Sequence, residues 1–338
     1  MFMINIKNKI LNNYKLLLIT NIIFILTIII LIIVVSSRND NNNISITHDA
    51  DNSFLLTNPI LDCESSNQNS NSVIFSDDIK EKVSQLKDKY QLTNVSLYFR
   101  DLNNGPWVGI NEKEVFSPAS LLKVPLLISF LHEAESNRSI LDKKVLISPD
   151  DINQSIHQNI KGEDALSVGK EYSMSEIAEF MIEKSDNTAV LALLRNINQN
   201  RIGNVFRTVG VPYKDISNEV NVSVKNYAGF FRVLYNSSYL NREMSEKALD
   251  IMTKSEYNDG IVAGVPKGVV VAHKFGERSI DNLTNSTQLH DCGIIYYPGK
   301  PYIICLMTRG SDFRSQTKVI QELSSYVYNE VDKNKNNL

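Results

Sequence analysis

The chain has 338 residues, 43% of them hydrophobic and 22% charged, which suits one large core with accessory segments and leaves little room for two full domains. Its formal net charge is −3, and it has no run of five or six lysines or arginines. General attraction to a phosphate backbone is excluded, so nucleic acid is not an expected partner.

From Leu16 to Val35 the residues are almost all Leu, Ile, Val and Phe, with polar singles only at Thr20, Asn21 and Thr27. About 20 such residues cross a bilayer as a helix, so residues 16–35 are expected to form one transmembrane anchor. Lys7, Lys9 and Lys15 precede it, whereas Arg38, soon followed by Asp40, is the only nearby cation after it. The positive-inside rule therefore places residues 1–15 in the cytoplasm and everything past Ser36 outside, a single-pass topology. A cleaved signal peptide ending near Val35-Ser36-Ser37 is the competing reading, but its apolar region would be unusually long. Residues 36–75 are dense in Asn, Ser and Asp without a sustained period, the composition of a tether. Cys63 falls within it, after the acidic Asp62 and far from the apolar run, which argues against a lipidated cysteine. Three cysteines are too few for a disulfide scaffold, although an oxidising compartment permits one bridge among Cys63, Cys292 and Cys305.

Order is expected from Ser76, an N-cap for a helix over 77–90 with Ile79, Val83, Leu86 and Tyr90 at helical spacing. A hairpin follows, with strands at 95–100 and 107–110 around Asn103-Asn104-Gly105. Helical patterning then dominates, at 119–135, 174–184, 188–197 and 224–235, and continues to about residue 253. Strand signals return at 269–275, 290–297 and 302–308, the last two joined by Pro298-Gly299-Lys300-Pro301, before a closing helix over 315–331. Strands at both ends bracketing helices predict an α+β fold. N- and C-terminal strands would share one antiparallel sheet, with terminal helices on one face and an all-helical subdomain on the other.

The strongest chemical signal is Ser120-Leu121-Leu122-Lys123, because three residues is just under one helical turn and puts hydroxyl and amine on one face. A lysine can serve as the base for a serine nucleophile when burial or a nearby cation depresses its pKa. The spacing alone means little, since Ser84-Gln85-Leu86-Lys87 and Ser315-Gln316-Thr317-Lys318 repeat it on solvated helices. Context separates the first, which Phe116-Ser117-Pro118 leads into and Val124-Pro125-Leu126-Leu127 follows. Ser185-Asp186-Asn187 taken singly is a helix cap. Lys274-Phe275-Gly276 taken singly is an edge-strand lysine beside a bulge. His273 should point away from Lys274 and reads as structural.

In the order helix start, interhelix loop and strand, the three elements resemble the motifs of the class A β-lactamase and penicillin-binding active-serine family. Met174-Ser175-Glu176-Ile177, the turn at Pro298-Gly299-Lys300-Pro301 and Thr308-Arg309-Gly310 extend the resemblance over residues 76–335. It implies a β-lactamase/transpeptidase-like fold in which Ser120 attacks a carbonyl and Lys123 accepts its proton. Ser185 would relay a proton to the leaving nitrogen, and Lys274 would supply positive potential that lowers the Lys123 pKa. Asn187 would hold the substrate amide, and the backbone amides of Ser120 and Glu277 would form the oxyanion hole. Gly276 would let substrate lie alongside the strand.

No cofactor is implied. A zinc site at His290 and Cys292 is not expected, because no second cluster lies at ligand spacing. Two departures from the family stand out. Its Glu-x-x-Leu-Asn loop is missing between Gly210 and Val224, where the sole glutamate is Glu219. Phe275 stands where a threonine or serine is usual, and the next strand begins His290-Asp291-Cys292 instead of with an arginine. Arg278 and Arg309 could bind a carboxylate but carry no distinguishing signal. The resulting expectation is a membrane-anchored, monomeric serine hydrolase acting on β-lactam-type cyclic amides through an acyl-enzyme. A peptidoglycan D-Ala-D-Ala-type peptidase or slowly deacylating penicillin-binding protein is the alternative. An idle sensor fits poorly with only fifteen residues inside.

Overall fold

The computed structural model describes residues 55–58, 76–103, 106–152, 158–160, 162, 164–214, 220–281 and 286–335. The expected anchor at 16–35, the cytoplasmic segment 1–15, most of the tether and Cys63 lie outside the described residues, as do Asn104, Gly105 and Glu219. Among the described residues no helix is long and apolar enough to cross a membrane.

A five-stranded antiparallel sheet organises the domain. Its strands are β1 (Asn94–Asp101), β2 (Trp107–Ile110), β7 (Val271–Asp281), β8 (Ser286–Ile295) and β9 (Tyr302–Gly310), in the order β2-β1-β9-β8-β7. The short pairs β3 (Val115–Phe116) with β6 (Val222–Ser223), and β4 (Lys144–Leu146) with β5 (Glu171–Ser173), lie outside it. Central β9 shows why both faces of the sheet are covered. Tyr302, Ile304 and Leu306 pack with Ile79, Val83, Leu323 and Val327 of the terminal helices, while Ile303, Cys305 and Met307 pack with the helical part. A side-chain period of two gives each face its own apolar row. The terminal helices are α1 (Ser76–Lys89) and α8 (Phe313–Lys333). The helical part includes α2 (Lys123–Ser136), α3 (Met174–Glu183), α4 (Asn187–Asn196), α5 (Ile202–Thr208), α6 (Val224–Tyr235) and α7 (Arg242–Thr253).

Three differences from the sequence expectation have physical causes. The helix expected from residue 119 starts as a 3-10 turn, Ala119–Leu122, and becomes α-helical only at Lys123, with Pro125 tolerated in its first turn. Strand β7 runs on past Phe275 to Asp281, because Glu277 and Arg278 pair in register with Leu289 and Gln288. Residues 55–58, expected as free tether, are docked. The amides of Leu55, Leu56 and Thr57 donate to the Glu246 carboxylate, and Asn58 N donates to Tyr235 O at 2.7 Å.

Candidate active site

The nucleophile turn is held on several sides before its serine is considered. The ring Nε2 of His290 bonds Ser117 O at 3.0 Å, and Thr308 N donates to His290 Nδ1 at 3.3 Å. With Nδ1 accepting, the ring proton sits on Nε2 and donates to Ser117. Burial pushes the His290 pKa down to about 4, so the ring is neutral. Arg278 Nη1 donates to Ser117 Oγ at 2.6 Å, and Tyr227 OH donates to Leu121 O at 2.8 Å. Ala119 has φ +49°, a left-handed conformation unusual for a residue with a side chain, and it immediately precedes Ser120. A side chain at Gly276 would meet Pro118 O at 2.7 Å and Leu121 N at 2.9 Å. The glycine is therefore needed for close packing of this turn against β7.

The residues singled out in three distant motifs converge. Lys123 Nζ lies 3.0 Å from Ser120 Oγ, 3.1 Å from Ser185 Oγ, 2.5 Å from Ser185 O and 2.8 Å from Asn187 Oδ1. Lys274 Nζ donates to the same Ser185 Oγ at 2.9 Å and to Phe275 O at 2.9 Å. Ser185 Oγ thus touches both amines. It is held there by a second left-handed residue, Ser185 itself at φ +57°, and by Asp186, which caps α4 by accepting from Thr188 N at 2.8 Å. Asp186 also accepts from Leu166 N, so the capping function and the placement of the motif are one arrangement.

Lys123 is 3% exposed and Lys274 fully buried. Burial lowers the Lys123 pKa to about 7, partly opposed by the charges of Asp186 and Glu277. Burial, then the charge of Lys123, pushes Lys274 well below the usual lysine range. The low Lys123 pKa is thus chiefly an effect of burial, where the resemblance had credited Lys274. Hydrogen-bond counting agrees with a neutral Lys123. Ser185 O and Asn187 Oδ1 can only accept, so they take the two N–H groups of a neutral amine and leave its lone pair for a hydroxyl proton. The arrangement can deprotonate Ser120.

A sequence model of the β-lactamase enzyme family matches residues 78–331. The chain belongs to the β-lactamase enzyme family. It is similar to β-lactamase VEB-1 of Pseudomonas aeruginosa, with 23% identity over 265 residues, 73% of this chain and 85% of that one. Its fold is that of TLA-3 extended-spectrum β-lactamase, with TM-score 0.67 and 20% identity over 76% of this chain and 99% of the other. A PBP-A mutant in an acyl-enzyme complex with penicillin G is also similar in fold, with TM-score 0.64 and 24% identity over 75% and 96% of the two chains. These relationships make the protein an active-serine hydrolase with a β-lactamase/transpeptidase-like α+β fold.

Against that family background the departures gain structural content. Phe275 is buried, its ring 4.1 Å beneath Lys274 Nζ and stacked on Tyr257 with centroids 4.2 Å apart. It backs the lysine with a π face and offers no hydroxyl. Arg309 is committed to Asn94, Glu114 and Val115, and Arg278 to Ser117. Cys292 and Cys305 face each other across β8 and β9 and form a disulfide. His273 is bound to Asp291 at 2.8 Å inside the core. No group of three metal-ligating side chains occurs among the described residues. Sequence reasoning missed Gln158, whose Nε2 donates to Ser185 O at 3.2 Å, and the two hydrogen bonds of His290. Gln158 carries no pattern that could have flagged it, whereas a histidine opening the predicted strand 290–297 is a detectable oddity.

Proposed function

We propose that this protein is a β-lactamase-like hydrolase that opens β-lactam-type cyclic amides through an acyl-enzyme on Ser120, anchored in a membrane by residues 16–35 with its catalytic part outside. Neutral Lys123 takes the Ser120 proton as Oγ attacks the amide carbonyl. The oxyanion develops between the backbone amides of Ser120 and Glu277, and losing either donor would cost roughly 10²- to 10³-fold in rate. Cleavage of the C–N bond hands the leaving nitrogen a proton from Ser185, which Lys123 or Lys274 replaces through the contacts already described. Water then attacks the acyl carbonyl and frees Ser120. The observation that carries this reading is the 3.0 Å contact between Lys123 Nζ and Ser120 Oγ with Ser185 Oγ bridging to Lys274. An outward-facing location draws support from the apolar run at 16–35 and from the Cys292–Cys305 bridge, which suits an oxidising compartment.

A second reading, a peptidoglycan D-Ala-D-Ala-type peptidase or slowly deacylating penicillin-binding protein, is favoured by the missing Glu-x-x-Leu-Asn pattern between Gly210 and Val224. Labelling the full chain and its Ser120→Ala variant with a fluorescent penicillin and a fluorophosphonate tests both. Label on wild type alone, lost within minutes, is expected for the hydrolase. Penicillin label that persists for hours would support the second reading, and no label from either probe would sink the nucleophile assignment.

A further inference from the structure

The sheet edge opposite to β7 borders a second cleft, between β2 and α6, of about 390 Å³. Arg100 of β1 and Trp107 of β2 are directly opposite in the ladder, so their side chains share a face, and Tyr98, two residues before Arg100, stands on it too. The Tyr98 and Trp107 rings stack with centroids 5.6 Å apart, and 41% of Trp107 stays exposed. α6 forms the other wall. Lys225, Gly229 and Arg232 recur along it at helical spacing, which puts two cations on one face with a glycine between them. A side chain at Gly229 would meet Val209 at 2.9 Å, so the glycine lets the turn after α5 close the floor of the cleft. Lys225 Nζ lies 4.3 Å from the Trp107 ring centroid.

The charge of this cleft is one-sided. None of its lining residues is acidic, and among the described residues Arg100, Lys225 and Arg232 have no carboxylate partner. Asn226 and Thr208, also in the lining, are committed to Val209 O and Val205 O. A lone surface cation is solvated and needs no partner, but here three converge from two elements in a chain with 38 acidic and 35 basic residues. Like charges around one concavity focus a positive potential there, which an anion relieves. Two guanidinium forks and one ammonium suit the several oxygens of a phosphate, whose monoester carries roughly −1.5 to −2 charge at pH 7. The exposed Trp107 ring adds an apolar surface for the carbon skeleton that bears the phosphate. The volume falls within the roughly 300–1,000 Å³ range of small-molecule sites.

We infer that the cleft between β2 and α6 is a second binding site, for a phosphorylated sugar, with Arg100, Arg232 and Lys225 holding the phosphate and Trp107 carrying the sugar ring. The site is separate from the hydrolytic one, because β2 and β7 are the two outer strands of the sheet and Ser120, Lys123, Ser185 and Lys274 are not among its lining residues.

The test is isothermal titration calorimetry of the full chain in a nonionic detergent, at fixed ionic strength, with glucose 6-phosphate, inorganic phosphate and glucose. Saturable one-site binding of glucose 6-phosphate is expected, tighter than that of inorganic phosphate, with none of glucose. Arg100→Gln and Arg232→Gln should each weaken it by roughly tenfold or more, as loss of a charge-assisted hydrogen bond does. Trp107→Ala should bring glucose 6-phosphate down to the affinity of inorganic phosphate. Both arginine variants should still react with a fluorophosphonate at the wild-type rate, which shows that they are folded, and saturating glucose 6-phosphate should leave that rate unchanged in wild type. No saturable heat, wild-type affinity in both arginine variants, or equal affinity of wild type for the two phosphates would overturn the assignment. Fluorophosphonate labelling blocked by glucose 6-phosphate would move the binding to the Ser120 cleft and overturn it as well.

Discussion

Acylation should follow the ionisation of Lys123. In a water-exposed lysine with a pKa of 10.5 the neutral amine is scarce at pH 7, and lowering the pKa to about 7 raises its abundance on the order of 10³-fold. The neutral fraction rises from roughly 1% at pH 5 to about half at pH 7, so the acylation rate should climb about 50-fold across that interval and level off above pH 8. Rapid-quench mass spectrometry of the Ser120 adduct isolates this step from deacylation. Lys123→Arg, which keeps a cation but cannot act as a base, should lose roughly 10²- to 10⁴-fold at every pH. A profile flat from pH 5 to 8, or one rising only above pH 9, would refute the assignment of Lys123 as base. Stability carries the same signature. Between the folded value of about 7 and the unfolded value near 10.5 the unfolded chain binds a proton that the folded chain lacks. The cost of burying Lys123 is thus fully present below pH 7 and fades as pH rises toward 10.

Two further substitutions test parts of the framework. Gly276→Ala should leave the fold intact but displace the Ser120 turn, whose Pro118 O and Leu121 N sit 2.7 and 2.9 Å from the new methyl position, and slow acylation by roughly 10²-fold; an unchanged rate would show that the turn yields freely. Replacing Cys292 and Cys305 together by alanine removes a bridge between residues 13 apart, worth about 3 kcal/mol for a loop of this size. The melting temperature should fall by roughly 6 to 12 °C in a scanning-calorimetry comparison, and an unaltered midpoint would mean that the bridge contributes nothing.

The order of strands and helices was legible because apolar runs and turn residues alternate cleanly, and because β9 repeats its apolar rows on both faces. The Ser120–Lys123 contact was legible from one turn of spacing. Ser185-Asp186-Asn187 was legible in both of its meanings, since Asp186 does cap α4 while Ser185 and Asn187 meet Lys123. Properties that depend on packing were not. The left-handed Ala119 has no compositional mark, and it opens the 3-10 turn that precedes the α-helix at Lys123. The strand signal ends at Phe275 in the sequence, yet Glu277, Arg278 and Ser279 continue β7 by pairing with Leu289, Gln288 and Thr287 of β8. The pKa of Lys123 depends on how completely α2 is covered, which no local window contains. The hydrogen bond that Asn159 N donates to the Glu277 carboxylate depends on a loop far away in sequence.

The circuit of Lys123, Ser185 and Lys274 also constrains the second half of the reaction. Once Ser185 has passed a proton to the leaving nitrogen and recovered one from Lys123, that lysine is again neutral and lies within hydrogen-bond reach of the ester oxygen on Ser120. In the absence of the Glu-x-x-Leu-Asn pattern, that amine is, among the described residues, a base already in contact with the Ser120 oxygen and able to activate the incoming water. Acylation and deacylation would then share one ionisation, and both should slow together below pH 7. A dedicated carboxylate base titrates much lower and would keep deacylation fast at pH 5. Forming the acyl-enzyme at pH 8, jumping to pH 5 and following adduct mass with time separates the two. Persistence of the adduct at pH 5 is expected, and its rapid loss there would assign the second step to a group other than Lys123.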